Sequence, residues 1–276
     1  MPNGRKCIKN RWVFDVKRNG IFRPRLVACG YSQVPGVDFT ESYAPVINDV
    51  TWRILLVAKM VLGLNAKIID VETAFLHGDL EEEIYMESPD GLGHNKGEDC
   101  VKLERSMYGL VQGARQYFTK FSTALRKINF TGGNADPCLM VRRDKHGIVF
   151  IAVYVDDSLL IGNDEAIDAV IKDIEESGFK LKVTGTLEDY LSCEITFNDD
   201  ETVAWIQQPH LLEKIENKFW EKVKGLQVYK TPGSQGITIF RNPEAVISEE
   251  NHGLYRIGTG RCWIYNFCFI FQCEIN

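Results

Sequence analysis

Tyr154-Val155-Asp156-Asp157 joins two apolar runs, 148–155 and 158–161. Two adjacent carboxylates at the turn of a buried hairpin repel each other and lose hydration, a cost that a divalent cation offsets. Hard oxygen donors suit Mg²⁺. Asp is also a common turn former, so an ordinary DD turn is the competing reading; apolar strands on both sides favour the metal. Holding two metals about 3.5–4 Å apart for in-line phosphoryl transfer needs a third carboxylate. Asp70 is the candidate, because it ends another short apolar run, Ala66-Lys67-Ile68-Ile69. A strand-end Asp is by itself more often a cap, so this assignment requires that strand to lie beside the hairpin.

The elements that must position these groups are legible in the periodicity. Residues 11–18 and 21–29 flank Asn19-Gly20, a two-residue hairpin signal, with Pro24 placing the second strand at an edge. A loop rich in Gly, Pro and Asp runs to about residue 48. Thr51 to Leu62 has helical spacing, with Asp49 or Thr51 as N-cap. A strand is expected over 66–71, a helix over 115–128 and a strand over 138–143. The run 148–155 is too continuous for an exposed strand and reads as buried on both faces. An acidic amphipathic helix spans 163–177 and ends at Gly178. Strands near 179–183, 190–197 and 202–207 precede a helix over 209–224. Strands and helices interleave irregularly, so the fold class is α+β.

Composition limits the alternatives. The chain has 276 residues, 45% hydrophobic and 25% charged, ordinary for a globular protein. No apolar stretch is long enough for a membrane span, and residues 1–20 lack a secretory h-region. The eight cysteines form no CxxC pair, which argues against a zinc module; reduced thiols in an intracellular protein are expected. Net charge is −6, yet residues 1–25 hold eight bases and one acid, Asp15. The acidic segments, Glu81-Glu82-Glu83 and the run from Asp164 to Glu176, come later. A basic end beside an acidic body could give a polyanion-binding surface next to a metal site, but charge alone favours the plainer reading of a basic end that confers only solubility.

The block Asp70-Val71-Glu72-Thr73-Ala74-Phe75-Leu76-His77-Gly78-Asp79-Leu80, continuing to Met86, resembles the signature of copia-type retrotransposon reverse transcriptases. So do 25–31, 36–46, 106–112, 135–139 and the Tyr154–Asp157 box, in the family's order, over roughly residues 5–260. The resemblance implies a right-hand polymerase with fingers, a ferredoxin-like palm, and the start of a thumb after about residue 208. It assigns Asp70 and Asp156 as ligands of two Mg²⁺ ions, which Mn²⁺ can replace, with Asp157 as the third catalytic carboxylate. Phe75 falls where such enzymes set an aromatic against the incoming sugar, the alternative being an ordinary core Phe. Gln112 matches a glutamine lining the nucleotide pocket. Arg23 and Arg25 match cations that meet the triphosphate. The implied partners are an RNA or DNA template with primer, dNTPs and other parts of a polyprotein, with no membrane; the implied compartment is the cytoplasm, the nucleus being compatible.

Departures from the family occur at Cys29 and Val111, both usually Lys, at Gly113-Ala114 for Ala-Pro, and at Ser192-Cys193 for Leu-Gly. Two fewer cations should weaken phosphate contacts and flatten the salt dependence. None of these touches the three carboxylates. The likeness stops near Gly260: residues 261–276 and the expected ribonuclease H continuation do not follow the family. A frameshift or truncation near that point, and a start at Met1 within a longer polyprotein, are the expectations. A truncated, inactive relic is therefore the alternative reading; the blocks around Phe75 and Gln112 argue against a palm-fold cyclase or an unrelated two-metal nuclease.

Overall fold

The computed structural model describes residues 5–16, 20–91, 100–184, 187, 190–225, 248, 249 and 253, with backbone alone at 221–223. Two compact units divide the chain, 1–186 and 187–276. The expected frameshifted tail, 261–276, and Cys262, Cys268 and Cys273 lie outside the described residues.

The first unit is mixed α/β. Its strands are β1 (Asn10–Val16), β2 (Phe22–Ala28), β3 (Asn65–Val71), β4 (Asp79–Glu87), β5 (Cys100–Arg105), β6 (Thr131–Gly132), β7 (Leu139–Asp144), β8 (Gly147–Tyr154), β9 (Asp157–Gly162) and β10 (Leu181–Thr184). Its helices are α1 (Asp49–Leu62), α2 (Ala74–His77), α3 (Gly113–Lys127) and α4 (Asp164–Glu176). Six strands form one antiparallel sheet in the order β10-β3-β9-β8-β7-β6. The central strand β9 is buried at every position from Ser158 to Gly162, so both of its faces are covered. This is what the unbroken apolar runs demand of a strand. Helix α4 turns Ala166, Ile167, Val170 and Ile174 inward at i, i+1, i+4 and i+8, and keeps its acidic residues on the other side.

Helix α1 starts two residues before the expected Thr51, and its cap is neither Asp49 nor Thr51. Asn48 has the extended backbone of an N-cap and its side chain accepts from the Val50 N–H at 2.9 Å. Asp49 lies inside the first turn, where it accepts from the Trp52 indole N–H and pairs with Arg53.

Away from the main sheet, β1 pairs with β2 and β4 pairs with β5. The β4 strand takes in Glu81-Glu82-Glu83, which sequence patterning marks only as an acidic segment. Glutamate is a poor strand former, but here the run has partners: Glu83 meets Lys102 and the Tyr85 hydroxyl, and Glu82 accepts from Thr40 N–H. Ile8 adds a parallel bridge to Met86 on the same strand. Ile8, Ala28, Ile84, Met86, Met107 and Leu110 close a second small core around it.

The expectation of wholly reduced cysteines does not hold. Cys7 and Cys100 form a disulfide, with Cα atoms 6.4 Å apart. The pairing follows from β4: Glu87 donates its N–H to Ile8 and is the register partner of Cys100, so both cysteines converge there. Among the described residues, Cys29, Cys138 and Cys193 are buried and form no disulfide.

The second unit holds a hairpin, β11 (Glu194–Phe197) with β12 (Ala204–Gln207), followed by α5 (Pro209–Val223). Pro209 opens α5 where its missing N–H costs nothing. Leu191 and Ser192 take consecutive left-handed conformations in the turn that closes Tyr190 on Cys193.

Candidate active site

The geometry begins with three strands. Asp70 on β3 is the direct register partner of Asp157 on β9. Directly opposed residues of an antiparallel pair project from the same face, with Cα atoms about 4.5–5.5 Å apart. The backbone carbonyl of Asp156 accepts the Val71 N–H at 2.9 Å, which places the turn beside the end of β3. The strand required by the sequence argument therefore does lie next to the hairpin. All three carboxylate residues are partly exposed.

The turn itself is tight. Tyr154 pairs with Asp157, leaving Val155 and Asp156 as the two central residues. Val155 has φ of 48°, the left-handed region that a β-branched side chain resists. Glycine is favoured there in hairpins of this kind. Strain at about 1–3 kcal/mol per such residue tends to be retained at functional sites.

Around the carboxylates stand aromatic rings. Phe75 on α2 is partly buried, its ring centroid 4.8 Å from that of Tyr108 and 6.5 Å from that of Tyr117. Thr73, which precedes the helix, has φ of 55°, and its carbonyl accepts from Leu76 N–H. Burial, seconded by the charge of Asp156, pushes the Tyr108 hydroxyl above its usual pKa, while Arg23 and Arg25 act against that shift. Tyr117 is pushed well above, by burial first and then by Asp156, Asp70 and Asp157. Both rings thus lie within the field of the carboxylates.

Arg23 and Arg25 alternate on β2 and, with Pro24, Leu26, Thr73, Leu76, Met107 and Tyr108, line a cavity of about 430 Å³. Arg25 also approaches Asp15 at 3.8 Å. Glycines make this junction possible. A β-carbon on Gly109, whose φ is 89°, would lie 2.1 Å from the Ala28 carbonyl oxygen. The contact lets Ala28 N–H donate to Tyr108 at 2.8 Å and fixes the arginine hairpin against the Tyr108 segment.

Two expected residues are placed otherwise than beside an open pocket. Phe75 is not among the residues lining that cavity, although its neighbours Thr73, Leu76 and Tyr108 are. Gln112 is fully buried. Its amide oxygen accepts from Gln33 Nε2 at 3.0 Å, and its own Nε2 donates to the Asp38 carbonyl at 2.8 Å and to Glu82 at 3.3 Å. Gln33 in turn accepts from Val111 N–H, and Asp38 from Val34 N–H. In this conformation Gln112 ties the 30–40 loop to the start of α3.

Sequence reasoning passed over Lys182, which is the register partner of Asp70 on the far side of β3. It also gave no role to Tyr108 or Tyr117. Tyr108 sits inside a block that was singled out, but nothing in its spacing announces a ring against Phe75. Among the described residues, no three His, Cys, Asp or Glu side chains are gathered into a ready-made metal cage. The donor set at the turn is nevertheless all oxygen and doubly anionic on adjacent residues, which suits a hard divalent cation.

The family described as reverse transcriptase (RNA-dependent DNA polymerase) matches residues 1–229. The chain belongs to that family. Its curated relatives are retrotransposon polyproteins of copia type. The Pol polyprotein of transposon TNT 1-94 from Nicotiana tabacum is 33% identical over 239 residues, 84% of this chain and 18% of the relative. That of transposon RE2 from Arabidopsis thaliana is 34% identical over 190 residues, covering 67% and 13%. The Ty1-ER2 Gag-Pol polyprotein of Saccharomyces cerevisiae is 25% identical over 259 residues, covering 89% and 14%. The chain thus spans less than a fifth of the length of these relatives. Among solved structures, a foamy viral protease-reverse transcriptase in complex with double-stranded DNA is similar at TM-score 0.40 and 14% identity, covering 77% of this chain and 33% of that one. Among the described residues of this reverse transcriptase domain, no helix is long and apolar enough to cross a membrane.

Proposed function

We propose that the chain acts as an RNA-directed DNA polymerase of right-hand design. In this reading β1 and β2 belong to the fingers, the six-stranded sheet is the palm, of ferredoxin-like topology, and α5 opens the thumb. The observation that carries it is the register of Asp70 against Asp157, with the Asp156 carbonyl hydrogen-bonded to Val71.

Asp70, Asp156 and Asp157 would hold two Mg²⁺ ions, or Mn²⁺. When bound, such ions lower the pKa of a primer 3′-hydroxyl and neutralise charge on the transferred and leaving phosphates. Arg23 and Arg25 neutralise the triphosphate from the cavity they line. Phe75, backed by Tyr108 and Tyr117, stands against the sugar and excludes a 2′-hydroxyl by sterics. The partners are dNTPs, a primed RNA or DNA template and the remaining parts of a polyprotein, and the work is done inside the cell where dNTPs are made.

Primer extension on poly(rA)/oligo(dT) with Mg²⁺ or Mn²⁺ tests this, comparing the chain with Asp156→Asn. Extension lost in the variant is the expected result. Extension that the substitution leaves untouched would overturn the carboxylate assignment, and none from a folded chain would favour the inactive relic.

A further inference from the structure

Next to the Phe75 ring stands a residue that lacks a side chain. Gly113 is the first residue of α3 and is buried. A β-carbon there would lie 3.2 Å from Phe75 Cδ1 and 3.3 Å from both the Met107 carbonyl oxygen and Ser106 Oγ. These separations are tighter than ordinary carbon contacts, so one neighbour must give by a few tenths of an ångström. The Met107 oxygen is main chain, and Ser106 is fully buried. Phe75 is partly exposed on a four-residue helix and is the member free to move.

The direction of that movement is restricted. Tyr108 and Tyr117 stand against the ring at centroid distances of 4.8 and 6.5 Å. Tyr117 is itself immobilised, stacked on Phe121 at 5.6 Å and nearly parallel to it at 12°. With Gly113 on one side and two tyrosines against it, the ring can move only in the directions these three leave open. Its chain neighbour Leu76, together with Thr73 and the contacting Tyr108, lines the arginine cavity.

We infer that Gly113 determines how far Phe75 projects toward the bound sugar, and so sets the discrimination between deoxyribonucleotides and ribonucleotides. This rests on the proposal that Phe75 meets the sugar. The glycine leaves the ring room to withdraw, which makes the native gate a permissive one. Gly113 has no left-handed φ, so alanine fits the backbone and improves helix propensity.

The test is binding without chemistry. The chain is loaded with a dideoxy-terminated primer on poly(rA), and the Kd values of UTP and dTTP are measured with Mg²⁺ by fluorescence anisotropy. Gly113→Ala should raise the UTP/dTTP Kd ratio by about fivefold, in the range that small steric changes in a pocket produce. Tyr117→Leu opens space on the buried side and should lower the ratio, which gives a second test if the alanine variant folds poorly. Phe75→Val is the control for the underlying reading and should also lower it. A lowered ratio for Phe75→Val together with an unchanged one for Gly113→Ala would overturn the inference and leave the gate intact. An unchanged ratio for Phe75→Val would overturn the gate itself. Binding of neither nucleotide would overturn the polymerase reading, and the inference with it.

Discussion

Asp70 and Asp157 stand directly opposite each other on neighbouring antiparallel strands, with Lys182 opposite Asp70 on the other side. Like charges in that relationship destabilise a sheet by about 0.2–1 kcal/mol. In the proposed function a divalent cation held by these carboxylates offsets that repulsion. Metal-free chain carrying Asp157→Asn should therefore melt a few degrees higher than wild type. Millimolar Mg²⁺ or Mn²⁺ should raise the melting temperature of the wild type and leave the variant nearly unmoved. Extension should fall by about a thousandfold, as when a transition-state charge loses its stabiliser. Differential scanning fluorimetry with and without metal checks the first part. Equal metal responses in the two proteins would remove the metal role from this pair.

Gln112 joins the 30–40 loop to the start of α3 through side-chain hydrogen bonds with Gln33 and Asp38, and reaches Glu82 on β4 with a third, all buried or partly so. Replacing it with leucine leaves the Gln33 amide and the Asp38 carbonyl without their partner. The cost should be about 2–3 kcal/mol, the penalty for stranding buried polar groups. Urea titration should show a lower midpoint with an unchanged slope. A full loss of nucleotide affinity at unaltered stability would instead put this side chain in the nucleotide pocket.

The strands that carry Asp70 and Asp157 were the most legible part of the chain. The apolar run 148–155 reads as a strand with both faces covered, and the structure buries Val149, Ile151, Ala152 and Val153, with Ile148 and Phe150 half-buried and Tyr154 exposed at the turn. Helix α4 follows equally from the spacing of its apolar residues. The β4 strand was illegible because its first half is glutamate, and its alternation of burial appears only beside Lys102, Gln112 and Thr40. The cap at Asn48 was missed because Asp49 and Thr51 are chemically as suitable; the choice is set by where the preceding loop is anchored, Asn48 N–H donating to Asp136 at 2.9 Å. Asp70 and the Asp156-Asp157 pair were found as separate features, but the pairing of Asp70 with Asp157 depends on the register between β3 and β9, which no local pattern encodes. Gln112 shows the same limit: its residue type was read, and its burial was not.

The Cys7–Cys100 bond closes a loop with a sequence separation of 93 residues, enclosing both the arginine hairpin and Asp70. Constraining so long a loop in the unfolded chain is worth about 4–5 kcal/mol in the chain-entropy account. Reduction with a phosphine, or paired Cys7→Ser and Cys100→Ser substitutions, should lower the melting temperature by roughly 10 °C or more. Thiol counting before and after reduction, on protein denatured without reductant, reports whether the bond is present. Two additional thiols after reduction are expected. No change in count, with no change in melting, would remove the bond from the solution structure.

Cys138 lies fully buried just before β7, its N–H donating to the Asp136 carboxylate at 3.0 Å. Burial first, and then the charge of Asp136, raises its thiol pKa to about 12. In the unfolded chain the same thiol ionises near 8.5. A group with a raised folded pKa contributes stability that is fully present below the unfolded value and is lost as pH rises toward the folded one. Stability should thus be unaffected by this residue up to about pH 8 and should decline between about pH 9 and 12, with a limiting slope near 1.4 kcal/mol per pH unit. Because the thiolate is the nucleophile, native chain at pH 8 should leave Cys138 unalkylated by iodoacetamide, while urea-unfolded chain should react fully. Peptide mapping by mass spectrometry distinguishes the two. Cys138→Ala should flatten the alkaline decline, and an identical decline in that variant would assign the pH dependence to other groups.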